Sequence, residues 1–140
     1  MMSSIVCLAA MLGVAAMATL QSVAVTGRLT CNGQPYSGAR IKLYDDNTLT
    51  PDSKLGEVTS DSNGNFNLTG STSNLLFNQD PKFNIYHRCG MTVPVCYYKS
   101  SYKIPSQYVS NGATASQVYN AQTIELSMLE TDRDCLNRRK

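Results

Sequence analysis

This 140-residue sequence predicts an all-β domain, a sandwich of about seven short strands. Three observations lead there. Apolar residues recur with a period of two rather than 3.6. Clusters of turn-forming residues separate the apolar runs. No stretch of eleven or more residues carries a helical apolar stripe.

The first run sets Val23, Val25, Leu29 and Cys31 against Ala24, Thr26, Arg28 and Thr30, and Gly27 interrupts its apolar face as a bulge or close approach would. Asn32-Gly33-Gln34-Pro35 turns the chain. In the second run Ala39, Ile41 and Leu43 point one way, and Arg40, Lys42 and Tyr44 form the wet face. Asp45-Asp46-Asn47 and Thr50-Pro51-Asp52 bracket an exposed connection. Asp61 to Asn65 reads as a tight reversal in which Gly64 takes positive φ. It resembles a calcium loop only loosely, because an EF-hand needs its glycine at position 6 and a bidentate Glu at 12. Phe66 and Leu68 mark the next strand, whose polar face carries the glycosylation sequon Asn67-Leu68-Thr69. Phe83, Ile85 and His87 follow, which makes His87 a packed core residue. Val93, Val95 and Tyr97 suggest a short strand, and Ile124, Leu126 and Met128 a last one.

Composition divides the chain in two. Fifteen of the first 18 residues are hydrophobic, and the first charged residue is Arg28. The apolar run from Ile5 to Ala18 is too short to span a bilayer comfortably and fits a secretory leader, with Ala16-Met17-Ala18 as the cleavage pattern. Residues 1–18 are therefore expected to be a signal peptide, and 19–140 one secreted domain with a short basic tail, Arg138-Arg139-Lys140. A net charge of +2 gives no reason to expect a nucleic-acid partner.

Removing Cys7 with the leader leaves Cys31, Cys89, Cys96 and Cys135, an even set that reads as two disulfides. Four cysteines allow three pairings, and sequence alone does not choose among them. Six residues separate Cys89 from Cys96, around Gly90 and Pro94, which suits a bridge across a hairpin loop and leaves Cys31 for Cys135. Zinc and thioredoxin-like chemistry both favour a CxxC pair, which is missing, so no metal or cofactor is expected. With one histidine and no suggestive acidic pair, catalysis is not expected. Two basic–aromatic groups are the binding candidates: Arg40, Lys42 and Tyr44 on one strand, and Tyr98, Lys99 and Lys103 with neighbouring tyrosines on another segment.

Taken in order, Leu29-Thr30-Cys31-Asn32-Gly33, Ile41-Lys42-Leu43-Tyr44-Asp45, Asp61 to Phe66, Asn84-Ile85-Tyr86-His87-Arg88-Cys89, Lys103-Ile104-Pro105 and Thr123-Ile124-Glu125-Leu126 resemble the nematode transthyretin-like family. The resemblance implies a transthyretin-like (prealbumin-type) sandwich of seven or eight strands, and secretion. It also implies that the first strand and the Thr123–Met128 strand lie parallel, which supports Cys31–Cys135. Members of that family are associated with phosphatidylserine recognition and with host-directed secretion by parasites. The expected function is thus a non-enzymatic module that binds or bridges a lipid, a small apolar ligand or a partner protein, with peripheral membrane contact. An extracellular structural protein is one alternative. A 5-hydroxyisourate hydrolase is another, but such enzymes use more than one His and a C-terminal Tyr-Arg-Gly-Ser, whereas this chain has only His87 and ends Asn137-Arg138-Arg139-Lys140.

Overall fold

Strands with one apolar face must bury it, and here two sheets do so against each other. The computed structural model describes residues 19–46, 53–77, 79–129 and 131–135; the leader and the basic tail lie outside them. The strands are β1 (Leu20–Cys31), β2 (Gln34–Pro35), β3 (Arg40–Asp45), β4 (Ser53–Thr59), β5 (Asn65–Ser73), β6 (Pro81–His87), β7 (Tyr97–Lys103), β8 (Ser110–Asn111), β9 (Val118–Glu125) and β10 (Asp132–Asp134). One-turn 3-10 helices occupy Ser106–Tyr108 and Leu126–Met128.

The first sheet is organised on β1, which pairs antiparallel with β2, β5 and β8 and parallel with β9. The parallel neighbour that the family resemblance implies is therefore present, with Leu29 beside Ile124. Its register shifts between Thr26 and Arg28. Gly27 sits at that irregularity, where a Cβ would lie 2.7 Å from the Phe66 ring. The second sheet runs β10-β7-β6-β3-β4, antiparallel throughout. Val23, Val25 and Leu29 of β1 meet Ile41, Leu43, Phe83 and Ile85 of the second sheet in one fully buried core. Each such side chain contributes roughly 1.5–3 kcal/mol on burial. Phe83 stacks on Tyr102 at 5.3 Å and meets Phe66 at 6.0 Å.

Three strand assignments differ from the sequence expectation. Val93 to Cys96 is an exposed loop, not a strand, and the strand begins at Tyr97. Pro94 lacks the N–H that a ladder requires. The last long strand starts earlier, at Val118, and stops at Glu125, after which Leu126–Met128 turns as a 3-10 helix. Residues 47–52 of the connection expected between Asp45 and Asp52 lie outside the described residues, and the stretch after it, where the sequence predicts no strand, forms β4 at the sheet edge.

Glu125 explains that stop. Its carboxylate accepts hydrogen bonds from the backbone N–H of Asn32 (3.0 Å), Gly33 (2.7 Å) and Ser127 (3.0 Å), and from the Thr30 and Ser127 hydroxyls (3.1 and 2.6 Å). One side chain thus caps the 3-10 helix and fixes the turn after β1. Ser127 and the Gly33 amide hold the carboxyl down to about 2, from an ordinary 4.5. A depressed carboxyl stabilises the fold fully above the unfolded value and loses that contribution as pH falls through the folded one. The stability gap between wild type and Glu125→Gln is therefore expected to be constant above about pH 5 and to close toward about pH 2. Urea midpoints across that range read it; a gap independent of pH would refute the ionised clamp.

The cysteines pair as Cys31–Cys89 and Cys96–Cys135, not as the loop bridge Cys89–Cys96 with Cys31–Cys135. Register gives the reason. Past Glu125 the chain leaves β1 and crosses to the other sheet, where β10 pairs with β7 and sets Asp134 opposite Tyr97. The next residue outward on each strand is a cysteine, and Cα of Cys96 and Cys135 stand 4.5 Å apart. That leaves Cys31, at the end of β1, to bridge to Cys89, just past β6, with 5.8 Å between Cα atoms. This second bond ties the two sheets together.

Candidate functional site

Register also decides where the predicted binding residues go. Rows run across the outer face of the second sheet: Arg40–Tyr86–Lys99, Lys42–Asn84–Ser101 and Tyr44–Lys82–Lys103. Arg40, Lys42, Tyr44, Lys99 and Lys103 therefore share one face. Tyr98 does not; it points the other way and packs against His87, with ring centres 5.7 Å apart.

The shared face is a knitted surface rather than an open basic patch. Lys42 is fully buried, contrary to a place on a wet face, with its ammonium 5.3 Å from the Tyr86 ring centre. Arg40 pairs with Glu57 at 2.9 Å, and Lys103 pairs with Asp80 (3.3 Å) and Asp46 (3.5 Å). Burial pushes the Glu57 carboxyl up, but Lys54, Arg40 and Lys42 outweigh it and hold it below its usual range. Burial raises both the Tyr44 and Tyr86 phenols, which stay neutral. Arg40 and Lys103 are thus paired with carboxylates within the sheet.

The ends of the sandwich differ from its face. At the Cys31–Cys89 end, Val93, Val95 and Met128 are 60%, 54% and 83% exposed. They belong to the loop after β6 and to the Leu126–Met128 helix. Both segments contribute to one cleft, through Cys89 and Gly90 on one side and Leu126 and Leu129 on the other. Two arginines brace this end. Arg88 donates to the Cys96 carbonyl at 2.9 Å and lies 4.1 Å over the Tyr97 ring. Arg133 donates to the Val95 carbonyl at 2.9 Å, over Tyr98. At the opposite end, where Leu20 pairs with Ser73, Leu75 and Leu76 are 77% and 74% exposed beside the buried anchor Phe77. Sequence reasoning missed both tips. The available signals were Leu75-Leu76-Phe77 at a loop boundary and apolar residues flanking Pro94.

His87 is buried, and its Nδ1 accepts from the Cys89 N–H at 3.1 Å, in line with a packed core residue. Burial lowers its pKa to about 4, so the ring is neutral near pH 7. Asn67 is exposed on β5, opposite Thr26, so its side chain faces solvent. Among the described residues no group of three His, Cys, Asp or Glu could hold a metal ion.

A family model described as the transthyretin-like family matches residues 26–105. The chain belongs to the transthyretin-like family. Relatives of this transthyretin-like chain agree over most of its length. Transthyretin-like protein 33 of Caenorhabditis elegans is 40% identical over 121 residues, covering 84% of each chain. Transthyretin-like protein 5 of the same nematode is 38% identical over 120 residues, covering 84% of this chain and 86% of its own. Transthyretin-like protein 2 is 36% identical over 126 residues.

Proposed function

We propose that this transthyretin-like chain is a secreted, non-enzymatic bridging module that contacts two partners through the two ends of its sandwich. The observation that carries this reading is the pair of exposed apolar tips at opposite ends of β1. Its twelve residues at roughly 3.3 Å each hold the tips about 35 Å apart. A protein that joins two surfaces needs two separated contacts, and a rigid strand between them keeps both presented at once. Two disulfides suit an oxidising, extracellular setting.

The two tips suit different partners. Val93, Val95 and Met128 share their end with Arg88 and Arg133. Apolar tips with flanking cations suit the surface of an anionic bilayer, where each cation adds about 1 kcal/mol. Leu75 and Leu76 lie on the loop that leads into β6, where the exposed Lys103 is paired with Asp80 and Asp46, and they suit an apolar patch on a protein.

Liposome sedimentation tests the lipid end. Saturable binding to vesicles containing phosphatidylserine is expected, weaker at high salt, and at least tenfold weaker for Val93→Asp with Val95→Asp. Leu75→Asp with Leu76→Asp should bind vesicles like wild type. Equal loss in both variants, or binding only to neutral vesicles, would overturn the assignment of the lipid contact to the Val93 end.

A further inference from the structure

An asparagine in the middle of a strand needs a reason, since its type is depleted there. Asn67 is such a residue: it stands within β5, opposite Thr26 of β1, and is exposed. Its side chain makes no hydrogen bond among the described residues, and neither does the side chain of Thr69. Leu68 between them is buried in the core, so the alternation of the strand turns Asn67 and Thr69 outward together. Neither polar group contributes to holding the fold. Both belong to Asn67-Leu68-Thr69, the single Asn-x-Ser/Thr sequence of the chain. That pattern is the acceptor for an N-linked sugar, which needs a free amide and a hydroxyl two residues on.

The surroundings accommodate a sugar. Two rows cross the outer face of the first sheet here, Asn67–Thr26–Asn120 and Asn65–Arg28–Thr123. Thr26, Asn120, Asn65, Arg28 and Thr123 line an open groove of about 360 Å³. Their exposed amides, hydroxyls and guanidinium can exchange water for sugar hydroxyls without leaving a buried group unpaired. Thr26 is also central in β1. At roughly 3.3 Å per residue it lies about 17 Å from Cys31 and about 20 Å from Leu20, so a glycan opposite it leaves both apolar tips open. The two disulfides suit the oxidising compartment through which glycosylated chains pass.

We propose that Asn67 carries an N-linked oligosaccharide, which lies on the outer face of the first sheet over the groove at Thr26 and Asn120. The donor is a lipid-linked oligosaccharyl diphosphate. Nδ2 of Asn67 loses one proton and bonds to the anomeric carbon of the first sugar. The bond from that carbon to the diphosphate oxygen breaks, and the lipid diphosphate leaves with the proton. The inference rests on the secretion in the reading above and not on its vesicle contact.

The test expresses the full chain in a eukaryotic secretory host and weighs the protein recovered from the medium. An added glycan mass is expected, removed by a peptide N-glycosidase with conversion Asn67→Asp. Asn67→Gln and Thr69→Val should lack the added mass, and Thr69→Ser should keep it. These side chains are exposed and unbonded, so the variants should fold. After trimming to one sugar, the amide spectrum should differ from that of Asn67→Gln at Thr26 and Asn120 and match it at Val95. Wild-type protein in the medium without a glycan would overturn the site while secretion stands. Retention in the cell would instead count against secretion, and residues 19–140 behind the host's own leader would then decide Asn67. A glycan that shifts Val95 and not Thr26 would overturn its placement.

Discussion

Replacing Cys31 and Cys89 together by alanine is expected to cost about 4 kcal/mol, the loop-closure value for a bridge across 58 residues. For a domain of this size that lowers the melting temperature by roughly 10–20 °C. The Cys96–Cys135 bond spans 39 residues, so its entropic share is almost as large, again about 4 kcal/mol. The two deletions should nevertheless behave differently. Cys89 is buried and its bond joins the two sheets, so its loss acts on the whole core. Cys135 is exposed and its bond fastens only the edge strand β10 to β7. Amide exchange should therefore show local release of β10 in the second variant and a global fall in protection in the first. A peptide map under non-reducing conditions comes first: recovery of a Cys89–Cys96 peptide would contradict the fold as described.

A pair of glycines provides the second large effect, with an internal control. Gly38 and Gly64 adopt nearly the same left-handed backbone, φ 82° and 81°. A Cβ at Gly38 meets nothing within 4 Å. A Cβ at Gly64 would fall well inside contact distance of the Leu29 carbonyl oxygen and 3.2 Å from the Tyr36 nitrogen. This crowding has a cause, because the Gly64 carbonyl accepts from the Leu29 N–H at 2.8 Å while the Leu29 carbonyl accepts from Tyr36 at 2.9 Å. Gly38→Ala should cost about 1 kcal/mol, for the backbone alone. Gly64→Ala adds overpacking of roughly 1–3 kcal/mol and should cost about 3 kcal/mol or more. Denaturant midpoints measure both; equal costs would mean that β1 and the Asp61–Asn65 turn yield easily.

How much was legible in the sequence depended on which neighbours a strand has. β1, β3, β5 and β6 carry large apolar residues on alternate positions, so the pattern of one strand suffices. β7 was harder to read because its inner row is Tyr98, Ser100 and Tyr102, and Ser100 is buried without being apolar. β4 is an edge strand with only half-buried Leu55 and Val58 to mark it. Lys42 follows the alternation of its strand and is still buried, because Tyr86 on β6 lies against it. Cross-strand cover of that kind has no signature within β3 itself. The disulfide pairing depended on where the chain goes after Glu125, a crossing between sheets that no local spacing encodes. The exposed tips were hidden for a related reason: Val93 and Val95 alternate as a strand would, and only the absence of a partner strand leaves them in solvent.

The loop between β6 and β7 is held by both disulfides, since Cys89 fastens its start to β1 and Cys96 its end to β10. The six residues between them are thus a span pinned at both footings. Their identity contributes little to the core, while their position is set by covalent bonds to both sheets. Apart from Gly90, whose φ of 76° favours glycine, such a span can be exchanged as a unit: the scaffold would accept a different tip sequence from Met91 to Val95 and still present it in the same place.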